Sequence, residues 1–152
     1  MRLLRPFVAG FLAVLVFHQG ALTVLYALGV TQRSPFVLTP TAPLGVPQVL
    51  SLAFWGGVWA LILWPLVAHL EARVGYWVAA IALGAIAPSL VAWFVVAPLK
   101  GQPMANGWQA PAIATSLLVN GAWGFGLALM MRPGGRARPA NKVGLVRSPE
   151  HR

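Results

Sequence analysis

Very few residues in this chain could do chemistry, and the most notable of them sit where polar groups are costly. His18 and Gln19 lie in the middle of an apolar stretch, residues 7–30, that carries no other ionisable side chain but Tyr26. An imidazole in that position could relay protons, ligate haem or another tetrapyrrole axially, or border an ion path. It could equally be a neutral ring hydrogen-bonded to a carbonyl or hydroxyl on another helix. Gln19, Thr23 and Tyr26 recur at i, i+4 and i+7, which sets a second polar face about 100° from His18. That face would line a wet cavity or meet the groove of a neighbouring helix. Asn120 stands inside the last apolar stretch, and an amide there is expected to bond across to a partner helix. By depth, the partners expected for His18 are Asn120, Trp59, and Ser89 or the carbonyl freed by Pro88.

Other chemistry is excluded more easily. The two acids, Glu71 and Glu150, are too far apart in sequence to suggest the paired carboxylates of glycosidases or aspartic proteases. The chain has no Cys, hence no thiolate nucleophile, disulfide framework or Cys metal site. It has no HExxH, GxSxG or glycine-rich phosphate loop, so neither a catalytic residue nor a metal site is assigned. His69, Glu71 and Arg73 form a short charged cluster that reads as a solvated interfacial group.

The elements that must position His18 are themselves apolar. Hydrophobic residues make up 59% of the 152 and charged ones only 9%, against about 25% charged in soluble domains. Four stretches, about 7–30, 47–68, 76–97 and 109–131, have the length a membrane span needs. The first is too long for a secretory signal and lacks a small-residue cleavage site, so an uncleaved span is expected. Pro47 and Pro111 fall in first turns, and Pro88 lies inside the third span, where it should bend the helix. The expected fold is all-α, an antiparallel four-helix transmembrane bundle over residues 1–131. Residues 132–152 form a basic tail, expected to be disordered and able to contact anionic lipid.

Charge placement orients the bundle. Arg2, Arg5, Arg73 and the tail lie at one end; Arg33 and Lys100 lie at the other. The positive-inside rule then puts both termini in the cytoplasm and the protein, multi-pass, in the inner membrane. The net charge of +9 is spent on this topology, and no nucleic-acid partner is expected. Trp64, Tyr76 and Trp77 would line the inner interface, and Tyr26, Trp93 and Trp108 the outer one. The two outer loops, 31–46 and 98–110, are proline-rich and would cap or dip into the outer face, while 69–75 would be a tight hairpin.

Small residues mark where the helices should meet. Ser116, Asn120, Gly124 and Ala128 recur every four residues; Gly56 pairs with Ala60, Ala53 with Gly57, and Gly84 lies between Ala80 and Pro88. Such spacing lets backbones approach closely. Sliding the second span by 64 positions onto the fourth pairs Pro47 with Pro111, Gly57 with Gly121 and Trp59 with Trp123, the pattern of two tandem two-helix repeats.

The segments FHQG at 17–20, LGVPQVLSLAFWGGVW at 44–59, VAPLKGQP at 96–103 and NGAWG at 120–124 resemble a family of small uncharacterised bacterial four-helix inner-membrane proteins. The resemblance runs to about Met131 and implies the same four-span fold, with no activity to carry over. In size the chain is also similar to small multidrug transporters, but it lacks the intramembrane glutamate of their first helix. Three readings of function follow. The first is a non-enzymatic helix-packing or accessory subunit of a homo-oligomer or larger membrane complex. The second is a small oligomeric transporter or channel using the His18 and Gln19 region. The third is a haem- or pigment-associated protein with His18 as ligand; the sequence leaves the cofactor open.

Overall fold

The computed structural model describes residues 3–132, which fold into four packed helices. They are α1 (Leu4–Ala27), α2 (Gln48–Val74), α3 (Tyr76–Leu99) and α4 (Ala110–Met131). At 1.5 Å per residue they measure about 33 to 40 Å, and all four are long and apolar enough to cross a membrane. The tail expectation concerns 133–152, which lie outside the described residues.

Proline and glycine set the helix boundaries. Pro47 is extended (ψ 136°) and α2 begins directly after it; Pro111 occupies the first turn of α4. α1 starts a turn earlier than hydropathy suggests, taking in Arg5 and Pro6, and ends at Ala27 rather than Val30. The largest correction is at the far end of α2. The sequence expectation ended that helix at Ala68 and made 69–75 a hairpin. Instead it runs through Pro65 and on to Val74, and Gly75 alone (φ 87°) turns the chain into α3. The reason is physical: hydropathy marks where apolar surface stops, whereas Leu70, Glu71, Ala72 and Arg73 are good helix formers that continue regardless.

The bundle is up-down-up-down. Pairs along α3 and α4 run in opposite order: Tyr76 with Ala128, Gly84 with Gly124, Ser89 with Asn120. The Arg5 guanidinium donates to the Met131 carbonyl at 3.4 Å, so the start of α1 meets the end of α4 at the same end as Gly75. α4 is the most enclosed helix, packed along α3 and against α1, while α2 bridges α1 and α3. One core cluster centres on Ala13, Ala53, Ala60, Trp123 and Leu127. A second, near Gly75, joins Val67, Ala79, Ala80 and Ala128 under Trp64 and Tyr76. Large apolar side chains such as Leu12, Phe54, Ile62 and Ile86 face outward on every helix.

Both connections at the opposite end are structured. The first contains a two-residue antiparallel ladder, Pro40–Thr41 with Val46–Pro47, a small β element absent from the all-α expectation. Carbonyls just before the ladder cap α2: Gln48 N–H donates to Thr39 O and Val49 N–H to Val37 O, both at 3.0 Å. These are amide groups that a helix start leaves without internal partners. The second connection passes through a short turn, Met104–Trp108, in which Ala105, Asn106, Gly107 and Trp108 all have φ between 50° and 67°. Three of these are not glycine, and each costs on the order of 1–2 kcal/mol in that region. Ala105 is fully buried at its centre, which helps hold the turn in place.

Candidate functional site

α1 does not run as a regular α-helix through its middle. Residues Val14–His18 form a π-helical turn, the kind of local widening often found at functional positions. Its effect can be read from burial. Up to its first residue, Ala9, Gly10, Ala13 and Val14 face the bundle; from its last, His18, Gln19 and Leu22 do. The extra residue slips the inward face by one position, so His18 (9% exposed) and Gln19 (3% exposed) are buried side by side. In an uninterrupted α-helix the pair after Ala13 and Val14 would have been Phe17 and His18, with Gln19 turned about 100° off that face. Thr23 and Tyr26, expected on the same polar face as Gln19, are exposed instead, with the Thr23 hydroxyl donating back to Gln19 O at 2.8 Å.

Gln19 connects two parts of the molecule. Its Oε1 accepts the backbone N–H of Phe36 at 2.7 Å, and its Nε2 lies 3.4 Å from Nδ1 of His18. Gln19 sits eight residues before the end of α1, so the loop returns about 12 Å along the helix to reach it. Phe36 makes the bend with φ 50°, strained for a bulky residue. Irregular backbone packed against a helix needs its amides met by other groups, which is what Gln19 does for Phe36.

The two contacts also fix the imidazole. An N–H donor from Phe36 demands the amide oxygen, so the NH₂ group faces His18 and donates to Nδ1. Among the described residues this is the ring's one hydrogen-bond contact, and two of the partners expected from depth, Asn120 and Ser89, bond to each other instead. Asn120 Nδ2 donates to Ser89 Oγ at 2.9 Å, just after Pro88. Replacing Gln19 with Leu is expected to leave the Phe36 N–H unpaired, at a cost of about 1–3 kcal/mol. Trypsin should then cut after Arg33 several-fold faster in detergent; an unchanged rate would mean Gln19 does not hold the loop.

The small residues are at helix crossings. Gly84 and Gly124 face each other so closely that a Cβ on Gly84 would lie 2.7 Å from the Gly124 Cα. Gly56 and Ala60 pack on Gly10 of α1, and Gly57 lies under the Phe7 ring. Gly121 is looser, with Ala85 Cβ at 3.6 Å, and the Ser116 hydroxyl turns back to Ala112 O. The Ala128 carbonyl accepts the Tyr76 hydroxyl at 2.6 Å. Gly10 and Gly126, which sequence spacing did not single out, are equally tight: Gly126 underlies the Phe17 ring. Trp123 was missed too; its indole N–H donates to Gly10 O at 2.9 Å across the core. The available signal was chemical, since a tryptophan in mid-span must find an acceptor for its N–H. Thr115 Oγ1 and Trp93 Nε1, on α4 and α3, are buried without a hydrogen-bond partner among the described residues.

His69, Glu71 and Arg73 lie exposed on the last turns of α2, and Glu71 borders a cleft with Tyr76, Trp77 and Arg132. No group of three or more His, Cys, Asp or Glu that could hold a metal occurs among the described residues. The fold and these contacts define a four-helix bundle with outward apolar faces, tied internally by single polar side chains. No protein-family description, curated protein or solved structure matches the chain.

Proposed function

We propose that this chain is a multi-pass protein of the cytoplasmic membrane that acts without catalysis, as a helix-packing or accessory subunit. The observation that carries this reading is the use made of its polar side chains. Trp123 to Gly10, Asn120 to Ser89, Tyr76 to Ala128 and Gln19 to Phe36 each join separate elements of the bundle. Side chains spent in this way specify geometry. Its partners in this reading are lipid on the exposed faces and a larger membrane complex or further copies of itself.

In the same reading Arg5, Arg73 and Arg132 face the cytoplasm, and Arg33 and Lys100 face outward. Cysteines placed at 33 or 100 should react in intact cells with an impermeant thiol reagent, and one at 73 should not. Labelling at 73 alone would reverse the orientation. The functional test is purification in mild detergent. Stoichiometric co-purification of other membrane proteins, or a stable homo-oligomer, without a pigment band, is the expected result; a colourless monomer would sink the accessory reading.

A second reading, a small oligomeric transporter, is favoured by one observation: Gln19 couples the His18 ring to the loop that reaches into the bundle. A second proton on the ring would oppose the Gln19 NH₂ group, and a flip of that amide would release Phe36. Proton-coupled solute flux in liposomes, lost in His18→Leu, would replace the accessory reading with this one.

A further inference from the structure

The seam between α3 and α4 changes character along its length. In its middle it is an open groove of about 360 Å³ lined only by apolar side chains, among them Ile81, Ala85, Leu118 and Gly121. Phe125 forms its end towards Gly75 and stacks on Trp77, with ring centroids 5.4 Å apart and planes 28° apart. On the far side of that stack lies a second cleft, of about 310 Å³, lined by Glu71, Tyr76, Trp77 and Arg132. An apolar groove thus lies on one side of this aromatic pair, and a cleft with one cation and one anion on the other. From Leu117 to Phe125 the groove follows eight residues of α4, about 12 Å.

The charges in the cleft are specific. Glu71 is the only acid among the described residues, and it lies beside Arg132, whose guanidinium sits 5.8 Å from the Trp77 ring centre. Tyr76 gives its proton to Ala128 O, so its oxygen is left with acceptor capacity towards the cleft. A guanidinium is the side chain best shaped for a phosphate, and a lone carboxylate with a phenol oxygen suits a primary ammonium. A quaternary ammonium offers Glu71 no N–H, and the Trp77 face it would seek is occupied by Arg132. A head with only negative charge would meet Glu71 unfavourably.

We propose that this seam binds one phospholipid whose head carries both a phosphate and a primary ammonium. The phosphate lies on Arg132, the ammonium on Glu71, and one acyl chain in the groove beyond Phe125. The site rests on the membrane reading above, and falls in the leaflet on the Gly75 side.

The test uses the full chain, delipidated in mild detergent and titrated with phosphatidylethanolamine, phosphatidylglycerol or phosphatidylcholine. Bound lipid is counted by native mass spectrometry and melting is followed in parallel. One phosphatidylethanolamine should bind in preference to the other two. Glu71→Gln should weaken it about tenfold, the scale of one charge-assisted hydrogen bond, and abolish the preference over phosphatidylglycerol. Arg132→Gln should weaken both. Gly121→Val, whose Cβ meets only ordinary contacts, should fill the groove and lower affinity for all three lipids while the unliganded protein melts near wild type. Equal binding of all heads, or a preference that survives Glu71→Gln, would overturn the site. So would an equal effect of chain-free phosphoethanolamine or inorganic phosphate, which would make the cleft a soluble-anion site. Release of the protein from membranes by alkaline washing would remove the membrane reading itself, an outcome distinct from integral protein without head-group preference.

Discussion

Gly124→Leu is expected to unfold the bundle in detergent at temperatures where the unaltered chain stays folded. A Cβ at position 124 would lie 2.5 Å from the Ala80 carbonyl oxygen and 3.2 Å from the Gly84 Cα. Both obstacles are backbone, so no side-chain rotation can relieve the clash, and α3 must move away from α4 along their shared crossing. Overpacking a well-filled core costs about 1–3 kcal/mol, and displaced backbone puts this case at or above the upper end. Gly121→Ala, one turn away, is the control: its Cβ would meet Ala85 at 3.6 Å, and the change should be close to neutral. Equal melting temperatures for Gly124→Leu and the wild type would mean the crossing is not where the backbones meet.

Trp123→Ala should be comparably severe for the opposite reason. Trp123 is 2% exposed, belongs to the main core cluster, and carries the bond to Gly10 that ties α4 to α1. Truncation leaves a cavity and an unpaired carbonyl, together about 3–5 kcal/mol. Trp123→Phe keeps most of the packing and loses only the donor, so about 1–3 kcal/mol is expected. The two variants separate volume from hydrogen bonding by their unfolding midpoints. A loss below about 1 kcal/mol for the alanine variant would show that Trp123 is not a pin between these helices.

Some of this arrangement was legible in the chain and some could not be. Four helices of spanning length follow from apolar runs whose ends are marked by Pro47, Gly75 and Pro111, because those residues act locally. Spacing by four pointed to Gly84 and Gly124, since a missing Cβ is visible in sequence. The neighbours of His18 were not legible. They depend on a π turn at Val14–His18 that slips the inward face by one residue, and a uniform run of Val, Leu and Phe carries no mark of it. The Phe36 contact depends on a loop folding back along α1, a tertiary event driven by where Gln19 ends up. Hydropathy likewise could not separate the end of α2 from the end of its apolar surface.

The meeting of Arg5 with Met131 has a consequence for how the polypeptide is wired. Residues 126 positions apart in sequence are neighbours, and Gly75 lies at that same end. The chain is therefore two helical hairpins, α1–α2 and α3–α4, each starting and finishing on one face. Joining Met131 to Leu4 by a short linker and cutting at Gly75 would give the order α3, α4, α1, α2 with every helix still pointing the same way. Cutting at Gly75 without the linker would give two separate polypeptides, each a pair of helices long and apolar enough to cross a membrane, with its own ends on a single side. The molecule is in this sense a circuit, and the place where its sequence begins is a matter of connection rather than of architecture.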